Sequence, residues 1–231
     1  MFIGLDLGTS HLKGIVIDDA QNICAEASFP LNVKRPKNSW VEQDPNDWIV
    51  ATENVMASLS VQVKLDQVKA IGLSGQMHGA TILDKNGDVL RPCILWNDTR
   101  SFEEASYLDS KAIFRDLTGN IVFPGFTAPK IAWIKKHEPK IFDQISKVLL
   151  PKDYLRFWLS GEYVAEMSDA AGTSWLDVKK RDWSDDLLAA TGLDRNQMPR
   201  LVEGSEISGL LKGKLAAKWG LSGDVIIAGG G

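Results

Sequence analysis

The stretch Phe2-Ile3-Gly4-Leu5-Asp6-Leu7-Gly8-Thr9-Ser10-His11-Leu12-Lys13-Gly14-Ile15-Val16-Ile17 decides the fold class. Phe2 to Leu7 reads as a strand, Gly8-Thr9-Ser10 as a turn, and Leu12 to Ile17 as a second strand. Asp18-Asp19 then turns the chain into a third strand from Ile23 to Phe29, so the protein is expected to open on antiparallel hairpins. Beyond them, Asp44-Pro45 supplies an N-cap and a first helical residue, and Trp48, Thr52, Val55, Met56 and Leu59 recur at helical spacing to about Ser60. Val68 to Leu73 is a strand running into Ser74-Gly75-Gln76-Met77-His78-Gly79, and Ala80 to Leu83 is a further strand ahead of the turn Lys85-Asn86-Gly87-Asp88. This order predicts an α/β layer fold, a mixed sheet flanked by helices.

The second half alternates as well. Thr127 is expected to cap a helix through Lys136, Lys147 to Leu150 to form a short strand, and Pro151 to Ser160 a helix closed by Gly161. Ser184 caps a helix ending at Thr191 before Gly192, and a helix from Leu210 to Trp219 precedes the last strand. No linker divides the chain. Its final residues, Asp224-Val225-Ile226-Ile227-Ala228-Gly229-Gly230-Gly231, read as a strand entering a glycine turn, which normally leads into something further. The sequence is therefore expected to be a fragment whose remainder begins after a functional turn.

Composition narrows the function classes. The chain has 231 residues, 44% hydrophobic and 24% charged, with 26 Lys+Arg against 30 Asp+Glu. A chain of this length can bury roughly 70% of the surface it exposes when unfolded, so no metal or disulfide is needed to hold it together. Interspersed charges with a net of -4 give no basic stripe for nucleic acid, and no apolar run approaches a membrane span. No leader-like segment opens the chain, and Cys24 and Cys93 form no CxxC, so a cytoplasmic location with inert core thiols is expected.

Four segments could carry chemistry. Asp6-Leu7-Gly8-Thr9-Ser10 ends a strand inside a hairpin turn; Gly8 frees backbone N–H groups, Thr9 and Ser10 add hydroxyl donors, and Lys13 stands on the following strand. Such a turn can cradle phosphate oxygens while the Asp6 carboxylate holds Mg²⁺, directly or through water; equally, Asp6 and Thr9 could merely satisfy turn hydrogen bonds. The Gln76-Met77-His78 loop places an amide, a thioether and an imidazole at a sheet end, where ligands often bind. Trp96-Asn97-Asp98-Thr99-Arg100 is best read as a loop braced by its Asp–Arg pair. Trp48, Trp133 and Trp219 fall at core positions of helices, whereas Trp40, Trp175 and Trp183 are less easily placed. Gly209 to Leu215 fails as a P-loop, having three residues between its glycines and Leu215 where Ser or Thr must contact Mg²⁺. No GxGxxG opens a helix, and the three histidines have no metal-ligand spacing.

Taken together, these residues resemble a known set. Gly4 to Ser10 resembles the first phosphate loop of the actin-like (ribonuclease H-like) ATPases, and Gly125-Phe126-Thr127-Ala128-Pro129-Lys130-Ile131-Ala132-Trp133-Ile134-Lys135-Lys136-His137 is similar to the signature of the FGGY carbohydrate kinases. Trp40 to Pro45, Gly75 to Gly79, Leu95 to Asp98, Leu150 to Tyr154 and Ser168 to Thr173 match the branch of that family acting on D-xylulose, and the resemblance runs from Met1 to Gly231. It implies an N-terminal, sugar-binding actin-like domain of a two-domain kinase that moves the γ-phosphoryl group of ATP, with Mg²⁺, onto the 5-hydroxyl of D-xylulose or a related ketose. Within it, Met77 and His78 would contact the ketose, Asp6 would be the catalytic carboxylate facing the phosphates and Mg²⁺, and Gly8, Thr9, Ser10 and Lys13 would bind phosphate. The family's glycine run leads into an aspartate that accepts the sugar proton, and a second domain supplies most of the adenosine pocket. Neither lies within residues 1–231, so the chain alone is expected to be inactive. A homodimer is compatible with this assignment; nucleic acid and membrane are not expected partners. Ribulose, gluconate or glycerol as substrate, or a non-catalytic sugar-sensing module, are the alternatives.

Overall fold

The computed structural model describes residues 1–231. Three opening strands, β1 (Phe2–Leu7), β2 (His11–Ile17) and β3 (Ile23–Pro30), form the expected hairpins, with Leu7 opposite Leu12 and Leu12 opposite Phe29. They belong to a six-stranded mixed sheet in the order Ile207–Leu210, Ile226–Ala228, Ala70–Gly75, β1, β2, β3. Its three middle strands, Ile226–Ala228, Ala70–Gly75 and β1, are parallel. Their carboxyl ends therefore open on one edge of the sheet, where ligands of α/β folds bind.

Helix α1 (Pro45–Gln62) covers one face of the sheet. Asp44 caps it by accepting from Asn46 N at 3.0 Å, and Trp48, Ala51, Val55, Met56 and Leu59 turn inward against Ile3, Leu5, Leu7, Leu12 and Val16. Gly14 lets the helix approach, since a Cβ there would stand 2.5 Å from Val55 Cγ1. At the other end of α1, Gln62 accepts from Glu26 N and donates to Glu26 O at 2.9 Å, blunting an edge strand that could otherwise pair with another chain.

A second apolar core lies beside the sheet, built from helices Phe102–Asp109, Ala112–Thr118, Thr127–His137 and Asp185–Thr191 around Trp175 and Trp183. Helix Pro151–Ser160 joins the two: it starts at a proline, ends at left-handed Gly161, and contributes Tyr154, Leu155 and Leu159 to the first core. No helix is long and apolar enough to cross a membrane.

Several expectations need correction. Thr127 does not cap its helix; Phe126 is the cap residue and the Thr127 hydroxyl reaches away to His78 O at 3.2 Å. The helix expected from Leu210 begins at Gly213, because Leu210 pairs with Ile226 as the last residue of a sheet strand. The strand expected from Ala80 to Leu83 spans Thr81–Leu83 and pairs with Lys147–Leu149 in a separate ribbon. Cys93 is buried, and that burial pushes its thiol up to about 11, but Cys24 is exposed on edge strand β3 instead of in the core.

Candidate functional site

The parallel edge gathers three turns: Gly8-Thr9-Ser10 after β1, Gln76-Met77-His78-Gly79 after Ala70–Gly75, and Gly229-Gly230-Gly231 after Ile226–Ala228. Two residues of the last, Gly229 and Gly230, fit only as glycine. Gly230 has φ +83°, and a Cβ on it would collide with Leu73 O, while one on Gly229 would strike Glu203 O. Gly230 N donates to Gly204 O at 2.9 Å and Gly231 N to Leu73 O at 3.2 Å, so the run threads between two backbones. Beneath it the buried Arg156 guanidinium donates to Ala228 O at 2.7 Å and Gly229 O at 2.6 Å.

Asp6 and Lys13 face each other in register on the exposed face of the sheet, lining a cavity of about 370 Å³ with Ser74, Gly72 and Gly230. The Asp6 carboxylate is solvent-exposed, an arrangement that suits a hydrated divalent cation better than a structural turn contact. Gly8 suits the tight turn, as a Cβ would stand 3.0 Å from His11 O. Ser10 is exposed, its hydroxyl 3.2 Å from His11 Nδ1.

Thr9 is turned inward instead. Its hydroxyl donates to Gln76 Oε1 at 3.2 Å and accepts from Trp96 Nε1 at 3.0 Å, so its single O–H is already committed and, contrary to the sequence expectation, the Thr9 side chain has no donor left for a phosphate oxygen. Gln43 closes the circuit: its amide donates to Thr9 O at 2.7 Å and accepts from Gln76 Nε2 at 2.7 Å and Trp48 Nε1 at 3.1 Å. The Gly8-Thr9-Ser10 turn is thereby hydrogen-bonded to the residue immediately preceding Met77. Gln43 lies in one of the matched segments, yet nothing in the sequence says that its amide reaches Thr9 from 34 positions away.

Met77 is half exposed, whereas His78 is largely buried in the left-handed region at φ 63°. Its ring leans on Phe126 with centroids 4.6 Å apart, and a Cβ on Gly172 would lie within 2.6 Å of Nδ1, so Gly172 leaves room for the imidazole. Burial, reinforced by the Lys130 cation and opposed by a Gly172 main-chain bond, lowers His78 to about 4. At neutral pH it is an uncharged imidazole, able to donate or accept a hydrogen bond to a hydroxyl. Met77 and His78 do not line the cavity of Asp6 and Lys13; they occupy the adjoining turn of the same sheet edge.

The flanking loop is braced as its Asp–Arg spacing suggests. Buried Asp98 pairs with Arg100 at 2.6 Å, Arg100 also holds Glu42 at 2.7 Å, and its guanidinium lies 3.8 Å from the Trp40 ring centroid. Below the site, Lys152, Asp153, Arg156, Glu166 and Asp169 form a buried cluster, with Lys152 Nζ 3.0 Å from Asp153 and 3.3 Å from Asp169. Burial raises Asp169 to about 7; Lys152 opposes the rise and Asp153 and Glu166 add to it. With Asp169 protonated the cluster holds two cations and two carboxylates and is electrically balanced.

Comparison with known proteins bears on this arrangement. Residues 1–231 match the N-terminal domain of the FGGY family of carbohydrate kinases. The chain is 53% identical over 232 residues to a xylulose kinase of Escherichia coli K12 and 50% identical to one of Klebsiella pneumoniae, in both cases across all of this chain and 48% of the relative. The crystal structure of a xyloylose kinase from Brucella ovis superposes on 99% of the chain and 48% of its own with a TM-score of 0.98 and 57% identity. The chain thus spans about half the length of the relatives it matches.

Proposed function

This chain belongs to the FGGY family of carbohydrate kinases, and we propose from that premise that it is the sugar-binding half of an ATP-dependent kinase of D-xylulose. The observation that carries this reading is the convergence, on one sheet edge, of an exposed carboxylate at Asp6 with the half-exposed Met77 and the neutral His78. Met77 offers an apolar contact and His78 a hydrogen bond to the ketose, and the ring is fixed by Phe126 and Gly172 before any ligand arrives.

ATP with Mg²⁺, when bound, supplies the phosphoryl group and neutralises the charge that builds up as it transfers. In this reading Asp6 holds the hydrated cation, Lys13 adds positive charge beside it, and the Gly8-Thr9-Ser10 turn offers main-chain N–H groups and the Ser10 hydroxyl to phosphate oxygens, the Thr9 hydroxyl being committed to Gln76. The 5-hydroxyl oxygen forms the new bond to phosphorus, the bond to the ADP oxygen breaks, and the hydroxyl proton passes to a carboxylate. The resemblance implies that this base follows the glycine run, and the rigid seating of Gly229 to Gly231 suits the delivery of a side chain to the site.

The test uses the protein at the length of its relatives, assayed on a panel of ketoses and polyols. D-xylulose is expected to give the highest kcat/KM, and preference for ribulose, gluconate or glycerol would overturn the assignment. In the same protein His78→Ala is expected to raise KM for xylulose by about tenfold and leave KM for ATP within twofold, since the lost contact is to the sugar.

A further inference from the structure

Lys130 lies on the inner face of helix Thr127–His137 and is completely buried. No carboxylate lies within ion-pair distance. Its ammonium instead donates to two main-chain carbonyls, His78 O at 2.8 Å and Gly125 O. A buried ammonium without a counter-ion is costly, and an apolar side chain of similar length would fill the same space at less cost. The two carbonyls belong to the turns that present His78 and Phe126, the rings packed on one another. Thr127 adds a second donor to His78 O at 3.2 Å, so that carbonyl is held twice. Gly125 is also pressed against Trp96, where a Cβ would strike the Trp96 carbonyl, and the Trp96 indole reaches Thr9. One cation therefore joins the His78 turn and the Phe126 turn.

We propose that Lys130 is the positioning residue of the ketose site: by holding the carbonyls of His78 and Gly125 it fixes the left-handed backbone of His78 and hence the direction of its imidazole. The proposal rests on the reading of His78 as a sugar contact. Lys130 does not touch the substrate and acts through His78 alone. The cost of burying the charge falls on stability, and the gain falls on the geometry of the site. Burial also brings the lysine down to about 7, in keeping with an ammonium that lacks a counter-ion.

Lys130→Met and Lys130→Gln in the intact protein test this. In the Met variant the relief of the buried charge and the loss of the Gly125 O donor oppose each other, so its thermal midpoint is expected to stay within a few degrees of the parent's while its KM for the ketose rises about tenfold and KM for ATP stays within twofold. The Gln variant, which keeps amide donors without charge, is expected to recover part of the loss and remains available if the Met variant does not fold. A ketose KM within twofold of the parent in both variants would overturn the proposal, as would equal rises in both KM values with a lowered midpoint, the mark of a merely structural lysine. A readout independent of turnover separates this from the functional assignment. By NMR titration His78 is expected to move up part of the way from about 4 in the Met variant, because the neighbouring cation has gone while burial, the larger cause, remains. If the parent phosphorylates no ketose yet His78 moves, the assignment of function fails and the Lys130–His78 linkage stands; an unmoved His78 overturns the linkage whatever the activity.

Discussion

Asp169 and His78 titrate in opposite senses. The Asp169 carboxyl is raised to about 7, so between the ordinary carboxylate range and pH 7 the folded protein holds a proton that the unfolded chain has lost, and stability from this group falls as pH rises. His78 is lowered to about 4, so between pH 4 and its ordinary value near 6.5 the unfolded chain binds the extra proton and stability rises with pH. Across pH 4.5 to 6.5 the two slopes oppose each other. Asp169→Asn removes the first and keeps a neutral side chain in a cluster that is already balanced. Relative to the parent, the variant is expected to gain about 3 kcal/mol between pH 4.5 and pH 7.5 in urea unfolding and to stay level above that. Parallel profiles would mean that Asp169 is ionised in the folded state.

At the scale of elements, the glycine run shows how sequence and packing divide the explanation. That Gly229 to Gly231 form a turn after a strand is legible in the residues themselves. That Gly230 must be glycine follows only from the Leu73 carbonyl lying against it and from φ +83°. Gly230→Ala is expected to cost about 3 kcal/mol, a fall in Tm of roughly 6–12 °C by calorimetry, because it combines a left-handed backbone with a clash against a strand that cannot move. The same division holds along the chain. Helices with a side-chain cap or a terminal proline and glycine, such as Pro45–Gln62, Pro151–Ser160 and Asp185–Thr191, are legible from Asp44, Pro151, Gly161, Ser184 and Gly192. Phe102–Asp109 and Ala112–Thr118 carry no such signal, because Ser101 and Lys111 make no side-chain cap bond and their burial comes from packing against other helices. In the site, Asp6, Met77 and His78 stand in local motifs. Gln43, Lys130 and Arg156 act across 34, 52 and 73 positions through main-chain carbonyls, which no local pattern records.

The whole molecule has two apolar cores, each built from residues 1–231, so the chain has the means to fold without further partners. Its candidate site is one-sided: the proposed sugar contacts, the proposed phosphate turn and the glycine run all lie on the edge of a single sheet, whereas the proposed phosphoryl transfer requires the nucleotide to be held opposite the sugar and water to be excluded from between them. Relatives about twice as long have the additional chain to do this. Residues 1–231 expressed alone are therefore expected to unfold cooperatively on heating and to bind D-xylulose measurably by calorimetry. They are also expected to show no ATP-dependent phosphorylation, since a missing general base alone typically costs about 10²–10⁴-fold in rate and the second wall of the cleft is lost as well. Turnover approaching that of the intact protein would place both base and nucleotide pocket within these residues and overturn the half-site assignment. Absence of sugar binding in a cooperatively folded chain would instead show that the Met77–His78 turn needs the rest of the protein to hold the ketose.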